Sequence, residues 1–164
     1  MYNREEKEKK QKSNNVSGRQ YLTFKIAKEN YGLELTQAKE IIKPPRVTNV
    51  PNTEESIQGV INLRGQVIPV IDMEKKLGLD GDNSESKGDK RIIVINIKNM
   101  LIGLYVDNVR EVVKLGDDEI EDVSETKKGI KQEYIKGVST TRDVLIIILN
   151  LDNLLFSSRQ KKGA

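Results

Sequence analysis

The chain of 164 residues carries 28 Lys/Arg against 25 Asp/Glu, a net +3, with neither Cys nor His. Lacking Cys, it can form no disulfide and no thiolate metal site; lacking His, it has neither the usual general base nor the commonest metal ligand, and no phosphohistidine relay. No segment approaches the ~20 apolar residues needed to span a bilayer, and the polar start MYNREEKEKKQKSNN cannot act as a secretory signal.

Charge is unevenly placed. Residues 1–20 hold six basic and three acidic side chains, and residues 157–164 hold three basic and none acidic. The body between keeps 19 basic and 22 acidic groups, a net −3. A nucleic-acid-binding body would be positive and would expose aromatic rings for stacking; here there is no Trp and only two Phe. A small β-barrel nucleic-acid binder is therefore the weaker reading, and neither nucleic acid nor direct membrane insertion is expected.

Residues 1–18 lack hydrophobic period and read as a disordered tail. Leu22, Phe24 and Ile26 alternate with polar neighbours, as a half-buried strand requires. A turn at Lys28-Glu29-Asn30 leads to a second alternation at Tyr31, Leu33 and Leu35. Pro44-Pro45 ends the following strand, and Val47 and Val50 look exposed. Gly59 and Gly65 suit a turn or bulge flanking a strand. The apolar run 67–71 reads as a strand buried on both faces, in which Pro69 implies an edge position or a break. Asp72 is placed to cap a short helix, MEKKLG. A polar linker covers residues 80–90, followed by an apolar strand at 92–97. Residues 107–114 have helical spacing, but Val112 and Val113 favour a bent strand. After an acidic connection, 116–131, comes a second fully buried strand at 144–149. Asn150 or Asp152 can cap the helix LDNLLF.

An internal repeat organises these segments. YGLELTQAKEIIK (31–43) aligns with IGLYVDNVREVVK (102–114) at an offset of 71, matching Gly32 to Gly103 and Glu40 to Glu111. GVINLRGQVIPVID (59–72) aligns with GVSTTRDVLIIILN (137–150) at an offset of 78, matching Gly59 to Gly137 and Arg64 to Arg142. Each copy is too small to bury a robust core alone. The expected architecture is all-β with short helices: two five-stranded barrels related by pseudo-two-fold symmetry, with a shared core and a groove between lobes fit for a partner helix. Glu40 and Arg64 are either a structural ion pair or a contact hot spot; their recurrence in the second copy favours the structural role.

Other motifs reduce to solvated loops. Asp80, Asp82 and Ser84 suggest a calcium loop, but Glu85 and Arg91 stand where Gly and the closing Glu belong. No phosphate-cradling glycine motif occurs, and Asp117-Asp118 sit in a charge run without a partner base. No metal site, no cofactor and no catalytic residue is expected.

The blocks YGLEL…AKEIIK, GVINLRGQVIPVIDM, RIIVINI, IGLYVDNVREVV and DVLIIILNLDNLL resemble the CheW family of chemotaxis coupling proteins. The resemblance spans residues 19–156, with lobe 1 at about 19–88 and lobe 2 at about 89–156, and leaves 157–164 as a basic tail. It implies SH3-like barrels and a non-enzymatic adaptor that bridges the cytoplasmic tips of methyl-accepting chemotaxis receptors to the regulatory domain of the histidine kinase CheA. Such a protein is cytoplasmic and recruited to membrane-bound receptor arrays. By motif, Ala38, Ile92, Gly103 and Val109 would line the receptor groove, and Val47, Val50, Arg64 and Gly65 would meet the kinase. Ala38 stands where the family commonly has a larger aliphatic residue. Met1, the polar N-terminal tail and the short C-terminal tail favour a stand-alone adaptor over a regulatory domain from a larger kinase or a receiver-fused adaptor.

Overall fold

A computed structural model describes residues 18–79, 89–123 and 130–157. The tail read at 1–18, the linker at 80–90 with its Asp80, Asp82 and Ser84, and the C-terminal tail lie wholly or mostly outside these residues. Ten strands form: β1 (Gly18–Ile26), β2 (Glu29–Glu34), β3 (Ala38–Ile42), β4 (Ile57–Leu63), β5 (Gln66–Asp72), β6 (Arg91–Ile97), β7 (Met100–Val106), β8 (Asn108–Gly116), β9 (Ile135–Thr141) and β10 (Val144–Leu149). One helical turn, α1 (Met73–Lys76), follows β5, and a π-helical turn (Asn153–Ser157) follows β10. Asp72 caps α1 by accepting from the Glu74 N–H at 3.1 Å. Of the two candidates for the second cap, Asn150 takes the role, its Oδ1 accepting from the Asn153 N–H at 3.1 Å.

The strands make two five-stranded sheets, β8-β1-β2-β10-β9 and β3-β6-β7-β5-β4. Adding five to each strand number converts one order into the other, so the repeat read in the sequence is the symmetry of the fold. The registers agree: Ile148 lies opposite Gly32 in one parallel pair and Val70 opposite Gly103 in the other. The halves are nevertheless interleaved, which corrects the expected lobes at 19–88 and 89–156. Barrel A takes β1 and β2 from the first copy and three strands from the second. Barrel B is the continuous stretch from β3 to β7. The exchange occurs because β7 runs into β8 with only Asp107 between them, too little chain for a hairpin. Asp107 is pinned there, its N–H donating to the Lys25 carbonyl at 3.0 Å and its Oδ2 accepting from the Ala27 N–H at 2.7 Å. The first turn consequently lies at Ala27-Lys28, one step before its expected place.

Each sheet closes into an SH3-like barrel where the chain beyond one edge strand returns to bridge the other. Thr48 and Val60 exchange two backbone hydrogen bonds of 2.9 Å, and Glu121 and Val138 do the same at 2.8 and 2.9 Å. Gly59 makes the first closure possible. Its φ is +153°, and a Cβ there would lie 2.2 Å from the Thr48 carbonyl oxygen, a distance no side chain tolerates. β8 is the bent strand expected from Val112 and Val113. The bend is a bulge opposite Thr23, whose buried hydroxyl donates to the Glu111 carbonyl at 2.8 Å and accepts from its N–H at 3.1 Å, which satisfies the groups the bulge unpairs.

Two expectations for β5 fail together. It is buried on one face only, with Val67 68% exposed and Pro69 also exposed. Nor is it an edge, since it lies between β7 and β4. Pro69 is tolerated because Val60, its partner across the sheet, directs its N–H and C=O to Thr48. The pair is thus a non-hydrogen-bonded one, and the missing N–H falls on the side where pairing with β7 begins only at Val70. β10 and β6, by contrast, are buried on both faces as expected.

Three clusters form the core. Ile61, Ile68, Val70, Ile92 and Val94 fill barrel B; Tyr21, Val113, Leu115, Ile146 and Ile148 fill barrel A. The largest joins the barrels, with Phe24, Tyr31 and Leu33 from one packed with Ile93, Ile95 and Leu104 from the other.

Candidate functional site

The rim of the shared core carries the first candidate surface. Ala38 opens β3 opposite Ile95, and Val109 holds the repeat-equivalent place in β8 opposite Phe24. Both are half-buried and pack against the shared core. Ile41 and Val112, the matched residues three positions on, are 43% and 45% exposed. Sequence reading missed this second pair, although the alignment of Ile41 with Val112 was the available signal. A cleft of about 680 Å3 adjoins Ala38, lined by Arg19, Glu34, Leu35 and Thr36 among others. Leu35 is not a strand residue here; it opens a 3-10 turn, Leu35–Gln37, that redirects the chain from barrel A to barrel B.

The other two expected receptor residues are corrected by burial. Ile92 is wholly inside barrel B. Gly103 is buried beneath it, where a Cβ would lie 2.9 Å from Ile92 Cγ2. Neither can touch a partner; together they set how tightly barrel B packs.

Charge at the cleft centres on Glu34. It accepts from Lys136 Nζ at 2.7 Å and from Arg19 Nη1 at 3.3 Å. The Lys136 hydrogen bond, aided by both cations, holds the carboxyl below the ordinary glutamate range against the opposing effect of partial burial. Tyr31, inside the shared core, has its hydroxyl pushed far up by burial.

The second candidate surface belongs to barrel B. Arg64 and Gly65, at φ +48° and +88°, form the two-residue turn between β4 and β5, a left-handed pair that matches strand twist. Asn62 Oδ1 accepts from the Gly65 N–H at 2.9 Å and fixes the turn. Val47 and Val50 are both half-buried, and Val47 packs on the barrel core. Of the four expected kinase residues, then, Val47 is the one mainly engaged inside its own barrel.

Arg64 is ion-paired with Glu40. β3 and β4 are the two edges of their sheet, so the pair bridges the seam where the barrel closes. The repeat does likewise: Arg142 Nη1 lies 3.5 Å from Glu111 Oε1, across the seam of barrel A. With the Arg side chains 70% and 73% exposed, each pair is worth roughly 0.2–1 kcal/mol at most.

This arrangement of duplicated, strand-exchanged barrels is matched from outside. A family model described as a CheW-like domain covers residues 20–159, spanning both barrels. The chain belongs to the CheW family. The chemotaxis protein CheW of Bacillus subtilis is 38% identical over 139 residues, covering 85% of this chain and 88% of that protein. Its counterpart in Klebsiella aerogenes is 30% identical over 140 residues, covering 85% and 83%. The crystal structure of the scaffolding protein TtCheW from Thermoanaerobacter tengcongensis superposes with a TM-score of 0.75 at 38% identity, covering 83% of this chain and 86% of that one. Among the described residues, no helix is long and apolar enough to cross a membrane.

Proposed function

We propose that this CheW-family chain is a non-catalytic chemotaxis adaptor that couples receptor cytoplasmic tips to the histidine kinase CheA. The observation that carries the reading is the symmetry-related placement of Ala38 and Val109, half-buried apolar residues packed against one shared core, with Ile41 and Val112 exposed three positions further along the same strands. A helical receptor tip has an apolar stripe, and a surface of this kind receives such a stripe. The exposed turn at Arg64-Gly65, with Val50, is the surface assigned to the kinase's regulatory domain. Chemistry is not required of either surface, and the chain has no His or Cys to offer. The adaptor would work in the cytoplasm at membrane-bound receptor arrays. Signalling follows if receptor states differ in how they seat the adaptor, because coupling requires differential contact between states.

Separate pull-downs with a receptor-tip fragment and a CheA regulatory fragment test the reading. Both should be retained by the folded chain. Retention of neither, with folding confirmed by circular dichroism, would overturn it.

A further inference from the structure

The pseudo-symmetry breaks at one place and leaves apolar surface open. The Asp72 N–H donates to the Ser56 carbonyl at 2.7 Å, and the Asn150 N–H donates to the Tyr134 carbonyl at 2.8 Å. Ser56 and Tyr134 therefore hold equivalent backbone positions. Tyr134, only 5% exposed, is buried with Ile130 in the cluster that also contains Tyr31, Ile147, Leu149 and Leu154. The repeat-equivalents of those last four are Ile102, Pro69, Ile71 and Lys76. In barrel B no such plug packs on them: together with Val67 and Phe156 they line an open groove of about 400 Å3, with Ile102 buried at its floor. Residues 51–55 are all exposed and supply no counterpart to Ile130. Ser56 in place of Tyr134, and Lys76 in place of Leu154, leave this side of barrel B without its plug.

The filled counterpart shows what the groove accepts, namely an aromatic ring. Lys76 adds a charge requirement. Its side chain is 11% exposed and ion-paired with Glu54, another lining residue, at 3.8 Å, too far for a hydrogen bond, so a carboxylate beside the ring can supply the hydrogen bond that Glu54 does not. We propose that the groove over β5 and β7 docks a partner-protein segment presenting an aromatic side chain next to a carboxylate. This surface shares no lining residue with the cleft at Ala38, and the proposal stands apart from the adaptor reading. A second copy of the folded body does not supply the ring. Among the described residues Tyr21, Phe24, Tyr31 and Tyr134 are buried, Tyr105 lies under Lys90 Nζ at 5.8 Å, and Phe156 already lines the groove.

The probe is the chain's own plug as a blocked peptide, acetyl-GIKQEYI-amide, the sequence of residues 129–135, in which Glu133 precedes Tyr134. It is titrated into the full-length isotope-labelled protein, and the amide shifts of Val67, Ile71, Ile102 and Phe156 are followed. Saturable shifts at these residues are expected. Affinity should fall about tenfold or more when the peptide Tyr becomes Ala or the protein carries Lys76→Glu, as for loss of an interface anchor. Ser56→Tyr should abolish binding by filling the groove from within; should that variant not fold, the peptide Tyr→Ala comparison gives the same reading. Absence of shifts at millimolar peptide, unchanged affinity in folded Ser56→Tyr, or occupation of the groove by the chain's own residues 1–17 would each overturn the proposal. Receptor and kinase pull-downs on the same samples report separately on the adaptor reading.

Discussion

Replacing Gly59 with alanine tests whether the approach of Thr48 to β4 is what closes barrel B. The new Cβ would lie 2.2 Å from the Thr48 carbonyl oxygen and 2.8 Å from its carbon. Both are backbone atoms, so no rotamer change can relieve the contact. The segment at Thr48 must retreat, and the two 2.9 Å bonds between Thr48 and Val60 go with it. Their loss costs about 1–3 kcal/mol, and alanine at a φ of +153° adds roughly 1–3 kcal/mol of backbone strain. The expected total of about 2–6 kcal/mol is a large part of the 5–15 kcal/mol typical of a domain. Gly65→Ala is the internal control: its φ is +88°, but no atom lies within 4 Å of the added Cβ. It should cost only about 1 kcal/mol. Urea denaturation followed by circular dichroism measures both. Equal losses would refute the closure argument, because strain at positive φ would then explain everything.

Three further outcomes follow from the same geometry. Glu34→Gln should lower stability by at most about 1 kcal/mol at neutral pH, given the exposure of Lys136 and Arg19. Because the folded pKa is depressed, the wild-type advantage is present above the ordinary glutamate value of 4.5 and is lost as pH falls through the lower folded value; an advantage that grows on acidification would contradict the assignment. Arg64→Glu should weaken kinase-fragment retention while changing stability by under about 1 kcal/mol, and adding Glu40→Arg should partly restore it. No rescue in that double-mutant cycle would identify Arg64 as a contact in its own right. Ala38→Asp should abolish retention of the receptor fragment and spare that of the kinase fragment; equal loss of both would remove Ala38 from the receptor surface.

The strand pattern was legible because alternation reports which face is buried, as at Leu22, Phe24 and Ile26, and because Gly32/Gly103 and Arg64/Arg142 mark the repeat. Partnership between strands was not legible. Alternation carries no information about which neighbour covers a face, so the division at residue 88 followed chain order and missed the exchange. The same gap misplaced Ile92 and Gly103, whose side of the sheet points into barrel B. Pro69 misled for a different reason: edge confinement assumes that its partner strand needs its N–H, and Val60 is bonded elsewhere. The Arg64–Glu40 contact, in contrast, could be anticipated, because both members recur in the second copy, as Glu111 and Arg142.

Strand exchange makes a prediction that two independent lobes would not. Residues 1–88 contain two strands of barrel A and three of barrel B, and residues 89–164 contain the complementary set. Neither half holds a complete sheet, and each would leave open the parallel pair that crosses halves, Ile147 with Tyr31 in one barrel and Ile71 with Leu104 in the other. Buried residues such as Ile93, Ile95, Phe24 and Leu33 would be exposed as well. Separately, the halves should show no cooperative thermal transition. Mixed in equal amounts, they should recover the near-native circular dichroism spectrum and one cooperative transition whose midpoint rises with concentration, as association requires. A cooperative transition from residues 1–88 alone would mean that the first copy builds its own barrel, and the interleaved topology would be wrong.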